Sequence, residues 1–330
     1  MTTNREQGRK TRRALVFGGG GVLGGTWAVG ALAAWQEATG LAPADVDVIV
    51  GTSAGSVLGA LVGCGVSTDE LITHYRDEHV TSGPLAGYEW DPTRATGGNR
   101  PGLPKLRGPG SPALIRSSLR HLGQLPATTV LSAFLPEGGK SLERIGHLID
   151  AVTPFGEWSA HPNLWVVATD YSNGHRVVFG RPGAPVAPLA SAVMASCAIP
   201  GWFTPVDVGG RTYIDGGAVS ATSVDVLAHS GIDEVYVIAP MVSFETDSPS
   251  GIQARLERRW RSQVTKVCRD EMALVRAAGS EVYAIGPGPQ DLEAIGANMM
   301  DSRRRRLVLD TSLRTSSQVW RDQLQRSMAG

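Results

Sequence analysis

Asp47-Val-Ile-Val-Gly-Thr-Ser-Ala-Gly55 decides the fold class. Its first four residues, Asp47 to Val50, read as a short strand, because a mostly apolar run of this length bounded by glycine suits burial on both faces. A helix of small residues, about Ala54 to Cys64, should follow. Between them, Gly51-Thr-Ser53-Ala-Gly55 has the form G-x-S-x-G. In a strand–turn–helix context this pattern is a nucleophile elbow, whose glycines permit the sharp turn that lifts a serine above a sheet. A five-residue pattern also recurs as a plain glycine turn, which is the alternative reading.

Towards the N-terminus the same arrangement occurs again. Arg13-Ala-Leu-Val-Phe17 reads as a strand, and a helix should run from about Val22 to Thr39. The joint is Gly18-Gly-Gly-Gly-Val-Leu-Gly24. Successive glycines let backbone N–H groups converge, and the helix N-terminus adds partial positive charge. Such a loop suits a phosphate or an oxyanion. Gly19, Gly21 and Gly24 also satisfy the G-x-G-x-x-G dinucleotide pattern. Alternating strands and helices imply an α/β fold with a mainly parallel central sheet.

Further along, a helix is expected from a Ser67/Thr68 cap to His79. Residues 82–139 break the alternation, with ten glycines, eight prolines and six basic residues against three acidic. They read as an irregular cap holding one short helix near Leu114 to Leu122, either a mobile cover over a pocket or a plain surface insertion. Leu142–Val152 reads as a helix. Leu164–Ala168 and Arg176–Phe179 read as strands around an Asn173-Gly174 turn. A small-residue helix spans Leu189–Cys197. Thr212-Tyr-Ile214 is a strand ending at Asp215-Gly-Gly217, and Val235–Ala239 is another. A long helix, Ile252–Ala278, has an arginine-rich face, the strand Val282–Ile285 follows, and a C-terminal helix carries Arg303 to Arg306. The expected organisation is a basic arm (1–12) and one catalytic domain (13–330), with a motif-bearing core over 14–230 and a C-terminal helical extension over 250–330.

Composition excludes little. Lys plus Arg equals Asp plus Glu at 31 each, so no global charge points to nucleic acid. Cys64, Cys197 and Cys268 lie far apart in apolar stretches and show no metal or redox spacing. The basic residues Arg9 to Arg13 ahead of twenty-two uncharged ones resemble an export signal. Seven of those twenty-two are glycine, however, which favours strand, turn and helix.

In combination the motifs are more specific. Gly19-Gly-Gly-Val-Leu-Gly24, Gly51-Thr-Ser-Ala-Gly55, Ala195-Ser-Cys-Ala-Ile-Pro-Gly201 and Asp215-Gly-Gly217 occur in this order, and together they resemble the patatin-like phospholipase family. The resemblance implies a three-layer α/β/α fold and a Ser–Asp dyad. Ser53 would be the nucleophile and Asp215 the base. Backbone N–H groups of Gly19, Gly20 and Gly21 would form the oxyanion hole, with Gly24, Gly51, Gly55, Gly216 and Gly217 supporting the motifs. The substrate would be a lipid or other acyl ester, with no metal or other cofactor. The family often carries Arg or Lys where this chain has Leu23, which would remove a charge beside the glycine loop.

Three rivals remain open at this stage, of which one, a non-enzymatic lipid or protein binder with a relic site, has no sequence feature in its favour. A Ser-His-Asp esterase would use His229, which alone of the seven histidines follows Asp215. A dinucleotide-binding protein would use Gly19, Gly21 and Gly24, but it wants an acidic residue ending the second strand, where Gly-Thr-Ser stands. The expected setting is cytoplasmic with peripheral membrane contact, through the basic arm Arg5 to Arg13, the 82–139 segment, which suits it best, or the arginine runs at 258–261 and 303–306. The alternative for those runs is a solvated helix face.

Overall fold

Alternate residues of the first strand enter different cores. Leu15 and Phe17 join one apolar cluster, and Ala14 and Val16 join another. Side chains of a strand point alternately to opposite faces, so both faces of the sheet are covered and the architecture is three-layered, α/β/α. The computed structural model describes residues 9–89, 91, 98, 110–120, 125–153, 158–245 and 251–328.

The elements in chain order are β1 (Arg13–Phe17), α1 (Gly21–Thr39), β2 (Val48–Thr52), α2 (Ala54–Gly63) and α3 (Thr68–Tyr75). Next come α4 (Pro112–Arg120), α5 (Ala127–Phe134), α6 (Glu143–Val152), β3 (Leu164–Asp170), β4 (Arg176–Phe179) and α7 (Leu189–Ser196). Then follow β5 (Val206–Val208), β6 (Arg211–Asp215), β7 (Glu234–Ile238), α8 (Ile252–Ala277), β8 (Glu281–Ile285), α9 (Pro289–Ile295) and α10 (Arg305–Met328). The sheet order is β5-β6-β3-β2-β1-β7-β8, with β4 also paired to β3. β3, β2, β1, β7 and β8 are parallel to one another, whereas β4, β5 and β6 form an antiparallel margin.

The register on β3 positions the site. β2 pairs with β3 as far as Thr52 opposite Val167. β6 runs the other way and pairs from Asp215 opposite Ala168. β4 pairs with these same residues of β3 on the other side, since Val166 faces both Gly51 and Phe179, and Ala168 both Asp215 and Val177. β2 and β6 therefore share one edge of β3 and meet head-on. Their ends are Thr52 and Asp215.

The structure departs from the sequence reading in several places. The helix expected to reach His79 ends at Tyr75, and Asp77 adopts a left-handed φ of 60°. Segment 82–139 holds two helices among its described residues, α4 and α5, rather than one. Its residues 90, 92–97, 99–109 and 121–124 lie outside the described residues, as do 1–8 of the basic arm. The C-terminal region joins the core. β8 pairs with β7 over five residues, and α10 packs tightly on α1. Trp320 Nε1 donates to Ala31 O at 2.9 Å and Ser312 Oγ to Trp27 O at 2.7 Å. A Cβ on Gly30 would lie 2.6 Å from Ser312 Oγ, so only glycine lets the two helices come this close. β5 and α9 were not anticipated, being too short to show periodicity.

Candidate active site

The turn after β2 is sharp because two glycines allow it. A Cβ on Gly51 would stand 2.5 Å from Ser56 Cα, and one on Gly55 would stand 2.2 Å from Phe17 O. Ser53, between them, has φ 53° and ψ −127°. A non-glycine residue in this region stores backbone strain of about 1–3 kcal/mol, which the surrounding structure must hold. Two hydrogen bonds do so. Ser53 N–H donates to Ser196 Oγ at 2.8 Å, and Ser56 Oγ donates to Ser53 O at 2.7 Å. Ser53 also stands at the N-terminus of α2, where the helix dipole favours developing negative charge.

Asp215 arrives from the other side of the head-on junction. Its Oδ2 accepts from Ser53 Oγ at 2.6 Å, and its Oδ1 accepts from Gly217 N–H at 2.7 Å. A Cβ on Gly216 would lie 2.5 Å from Val167 O, so the turn after Asp215 also depends on glycine. Asp215 is only 5% exposed. Burial raises its pKa to about 6, against the opposing pull of the hydrogen bonds from Ser53 and Gly217. A free Asp, near 3.9, falls about 4 kcal/mol short of a base matched to neutral pH, and desolvation recovers most of that deficit.

The sequence assigns no role to Ala195–Gly201, but the structure shows one. Ser196 Oγ accepts from Ser53 N–H and donates to Val167 O at 2.6 Å, while Ala198 O accepts from Asp215 N–H at 3.0 Å. One short stretch thus ties both residues of the pair. No sequence signal marks Ser196 for this part, since a serine among small residues is ordinary in a helix.

The glycine loop needs one correction. Gly19 N–H donates to Ala221 O at 2.8 Å, so it is not an open donor. A Cβ at Gly19 would lie 3.2 Å from Ser53 Cβ, so this glycine provides close approach instead. Gly20 and Gly21 N–H have no acceptor among the described residues. Both line the same opening as Ser53 and Asp215. Gly21 has φ +60°, and a Cβ on Gly20 would lie 2.8 Å from Pro240 Cβ. Ala54 N–H, in the first turn of α2, is a further donor without an intrahelical partner. Leu23 is fully buried in the core cluster with Trp27, so position 23 does not face the site and its lack of charge leaves the loop unchanged.

Two spaces meet at Ser53. One is an apolar cleft lined by Val22, Val57, Leu142, Ile145, Ile199 and Phe203, which ends at His74, Tyr75 and Arg305. The other is a wider opening bordered by Leu131, Leu135, Trp202, Trp260 and Met299.

The histidine and dinucleotide readings both fail. His229 is exposed in the turn before β7, and the neighbouring Ser230 O accepts from Arg12 Nη1 at 3.2 Å, at the N-terminal end of β1. Ser53 lies beyond the C-terminal end of β2, at the opposite end of the sheet's strands. No histidine is a hydrogen-bond partner of Ser53 or Asp215 among the described residues. The dinucleotide reading lacks its ribose ligand, because β2 ends at Thr52 with Ser53 next and no carboxylate stands there. Among the described residues no three His, Cys, Asp or Glu side chains gather as a metal site.

Comparison with known proteins identifies similar solved structures and a matching family. The chain is similar to the crystal structure of VipD from Legionella pneumophila, with 13% identity, a TM-score of 0.44, and coverage of 95% of this chain and 67% of that one. It is also similar to the type III effector protein ExoU, with 16% identity and a TM-score of 0.34, spanning 95% of this chain and about half, 53%, of that one. Residues 15–228 match the Patatin-like phospholipase family, and over this majority of its length the chain belongs to that family of lipid ester hydrolases.

Proposed function

We propose that the chain is a lipase- or phospholipase-type serine acyl hydrolase working through a Ser53–Asp215 dyad. The observation that carries this reading is the 2.6 Å hydrogen bond from Ser53 Oγ to Asp215 Oδ2 where an apolar cleft meets a wider opening. Ser53 Oγ attacks the ester carbonyl carbon and its proton passes to Asp215 Oδ2. The carbonyl oxygen becomes an oxyanion, held by the N–H groups of Gly20 and Gly21, with Ala54 N–H in reserve. One such donor is typically worth about 3 kcal/mol in the transition state. The tetrahedral intermediate collapses, the C–O bond to the alcohol breaks, and Asp215 returns its proton to the leaving oxygen. Asp215 then takes a proton from water as the water oxygen attacks the acyl-serine. On collapse the acyl C–O bond to Ser53 breaks, Asp215 returns the proton to Ser53 Oγ and the acid leaves. The acyl chain occupies the apolar cleft and the alcohol portion faces the wider opening. No cofactor enters these steps.

The uninterrupted sheet from β5 to β8 supports treating residues 13–330 as one catalytic unit. Among the described residues no helix is long and apolar enough to cross a membrane, and the proposed setting is cytoplasmic with contact at a lipid surface.

The direct test is covalent labelling with a fluorophosphonate probe, alongside fatty-acid release from phospholipid. Wild-type protein should label and release acid, and Ser53→Ala should do neither. Equal labelling of the two proteins would sink the assignment of the nucleophile.

A second expectation concerns pH. A base must be ionised to act, and burial raises the Asp215 pKa to about 6. kcat/KM on a neutral soluble ester should be level above about pH 7 and fall about tenfold per unit well below pH 6. A flat profile between pH 4.5 and 8 would remove Asp215 from the base role.

A further inference from the structure

Two exposed apolar strips flank the opening above Ser53. On α5, Leu131 is 61% and Phe134 55% exposed. On α8, Ile252, Leu256 and Trp260 are 77%, 63% and 48% exposed. Steps of four residues keep these three on one side of the helix, and Val267 and Leu274 continue that side. This is not the face that packs. α8 is held to the sheet by another set, including Thr265, Cys268, Met272 and Val275. The fully buried Arg261 anchors the N-terminal half of the helix by donating from Nη1 to Pro240 O at 2.5 Å, beside the glycine loop. The exposed strip is therefore a second apolar face on a rigidly placed helix.

Two features indicate what covers it. Arg255, Arg259, Lys266 and Arg269 run along its outer side, and Asp270 is the one exposed acidic residue described on this helix. A second copy of the chain laid strip to strip would bring these like charges together, whereas anionic lipid headgroups would complement them. The strip is also continuous with the site, because Leu131 and Trp260 belong to it and border the opening over Ser53 and Asp215. A lipid leaving the surface on which the strip rests would enter directly.

We propose that α5 and the N-terminal half of α8 form a docking surface for an anionic bilayer, which holds the mouth of the site against aggregated substrate. The proposal rests on the lipid ester hydrolase reading and names the surface that reading requires.

The test uses the full chain and vesicles of phosphatidylglycerol or phosphatidylcholine, with sedimentation as a readout independent of turnover. Wild-type protein should sediment with phosphatidylglycerol vesicles, less so at high salt. The double variant Ile252→Ser/Leu256→Ser changes only exposed side chains and should keep its thermal unfolding temperature. Its vesicle affinity and its turnover of vesicle lipid should both fall at least tenfold, while turnover of a short soluble ester stays unchanged. Arg259→Glu/Lys266→Glu should lose binding to the anionic vesicles in particular. Vesicle binding by wild type with no turnover of either ester would overturn the hydrolase reading and leave the docking surface standing. Absence of wild-type binding, or wild-type binding by both variants, would overturn the docking proposal. So would a switch from dimer to monomer in Ile252→Ser/Leu256→Ser with vesicle binding kept, which would assign the strip to a second copy.

Discussion

Ser53→Ala should lower ester turnover by about 10⁴-fold or more, and Asp215→Asn by about 10²–10⁴-fold, in proteins that remain folded. The two losses should be far from additive in the double variant, because nucleophile and base act as a unit through one 2.6 Å hydrogen bond. His229→Ala should keep near-full activity, since that side chain sits by the N-terminal end of β1, at the opposite end of the strands from Ser53. Asp215→Asn carries a second signature, in stability. Burial raises the Asp215 pKa from an ordinary value near 4 to about 6. The folded protein therefore holds this proton more tightly than the unfolded chain. The resulting stabilisation is complete below about pH 4, is lost as pH rises through about 6, and changes no further above that. Ionising Asp215 at neutral pH costs on the order of 2–3 kcal/mol, which an uncharged Asn does not incur. At pH 8 the Asn variant should thus unfold at a higher temperature than wild type, with the difference vanishing in acid. A variant that is inactive and also less stable at pH 8 would mark Asp215 as a structural residue.

Gly55→Ala should be among the most damaging single-methyl additions at the described glycines. The added Cβ would stand 2.2 Å from Phe17 O and 2.5 Å from Phe17 C, which are backbone atoms at the end of the central strand β1. No side-chain rotation relieves that contact, so α2 or β1 must shift. A cost of about 3 kcal/mol or more is expected, above the usual range for overpacking because the opposing atoms are backbone. Any shift of α2 also displaces Ser53, so turnover should vanish even in molecules that stay folded. Gly251→Ala is the matched control, with φ −88° and nothing within 4 Å of the added atom. It should alter stability by no more than about 1 kcal/mol, the scale of replacing a glycine N-cap. Equal unfolding temperatures for the two variants would show that the elbow tolerates side chains.

The sequence was most legible where chemistry constrains the backbone. Gly51 and Gly55 around Ser53, and Gly216 after Asp215, mark places where a Cβ would strike backbone, and such places are few enough to read from a pattern. Apolar runs located the parallel strands to within a residue or two, because both of their faces are buried. Contacts between distant residues were not legible. Nothing in the sequence says that Gly19 N–H is taken by Ala221 O, or that Ser196 Oγ receives Ser53 N–H. The packing of α10 on α1 was missed for the same reason, since a helix with many charged residues reads as a surface element until its partner is known. The exposed strip of α8 has the opposite character: its apolar residues were visible in the sequence, but which of them face solvent was not.

The head-on meeting of β2 and β6 on one edge of β3 bears on the order in which the chain is made. Ser53 emerges during synthesis well before its partner, which lies 162 positions later. Between them come β3, which supplies the common edge, and α7, which supplies Ser196. On the proposed dyad, an unfinished chain, or one clipped before β6, would carry the serine with no base to draw off its proton and would be catalytically silent. Chemical competence would then arise in a single late step, when a strand running against β3 completes the row on it.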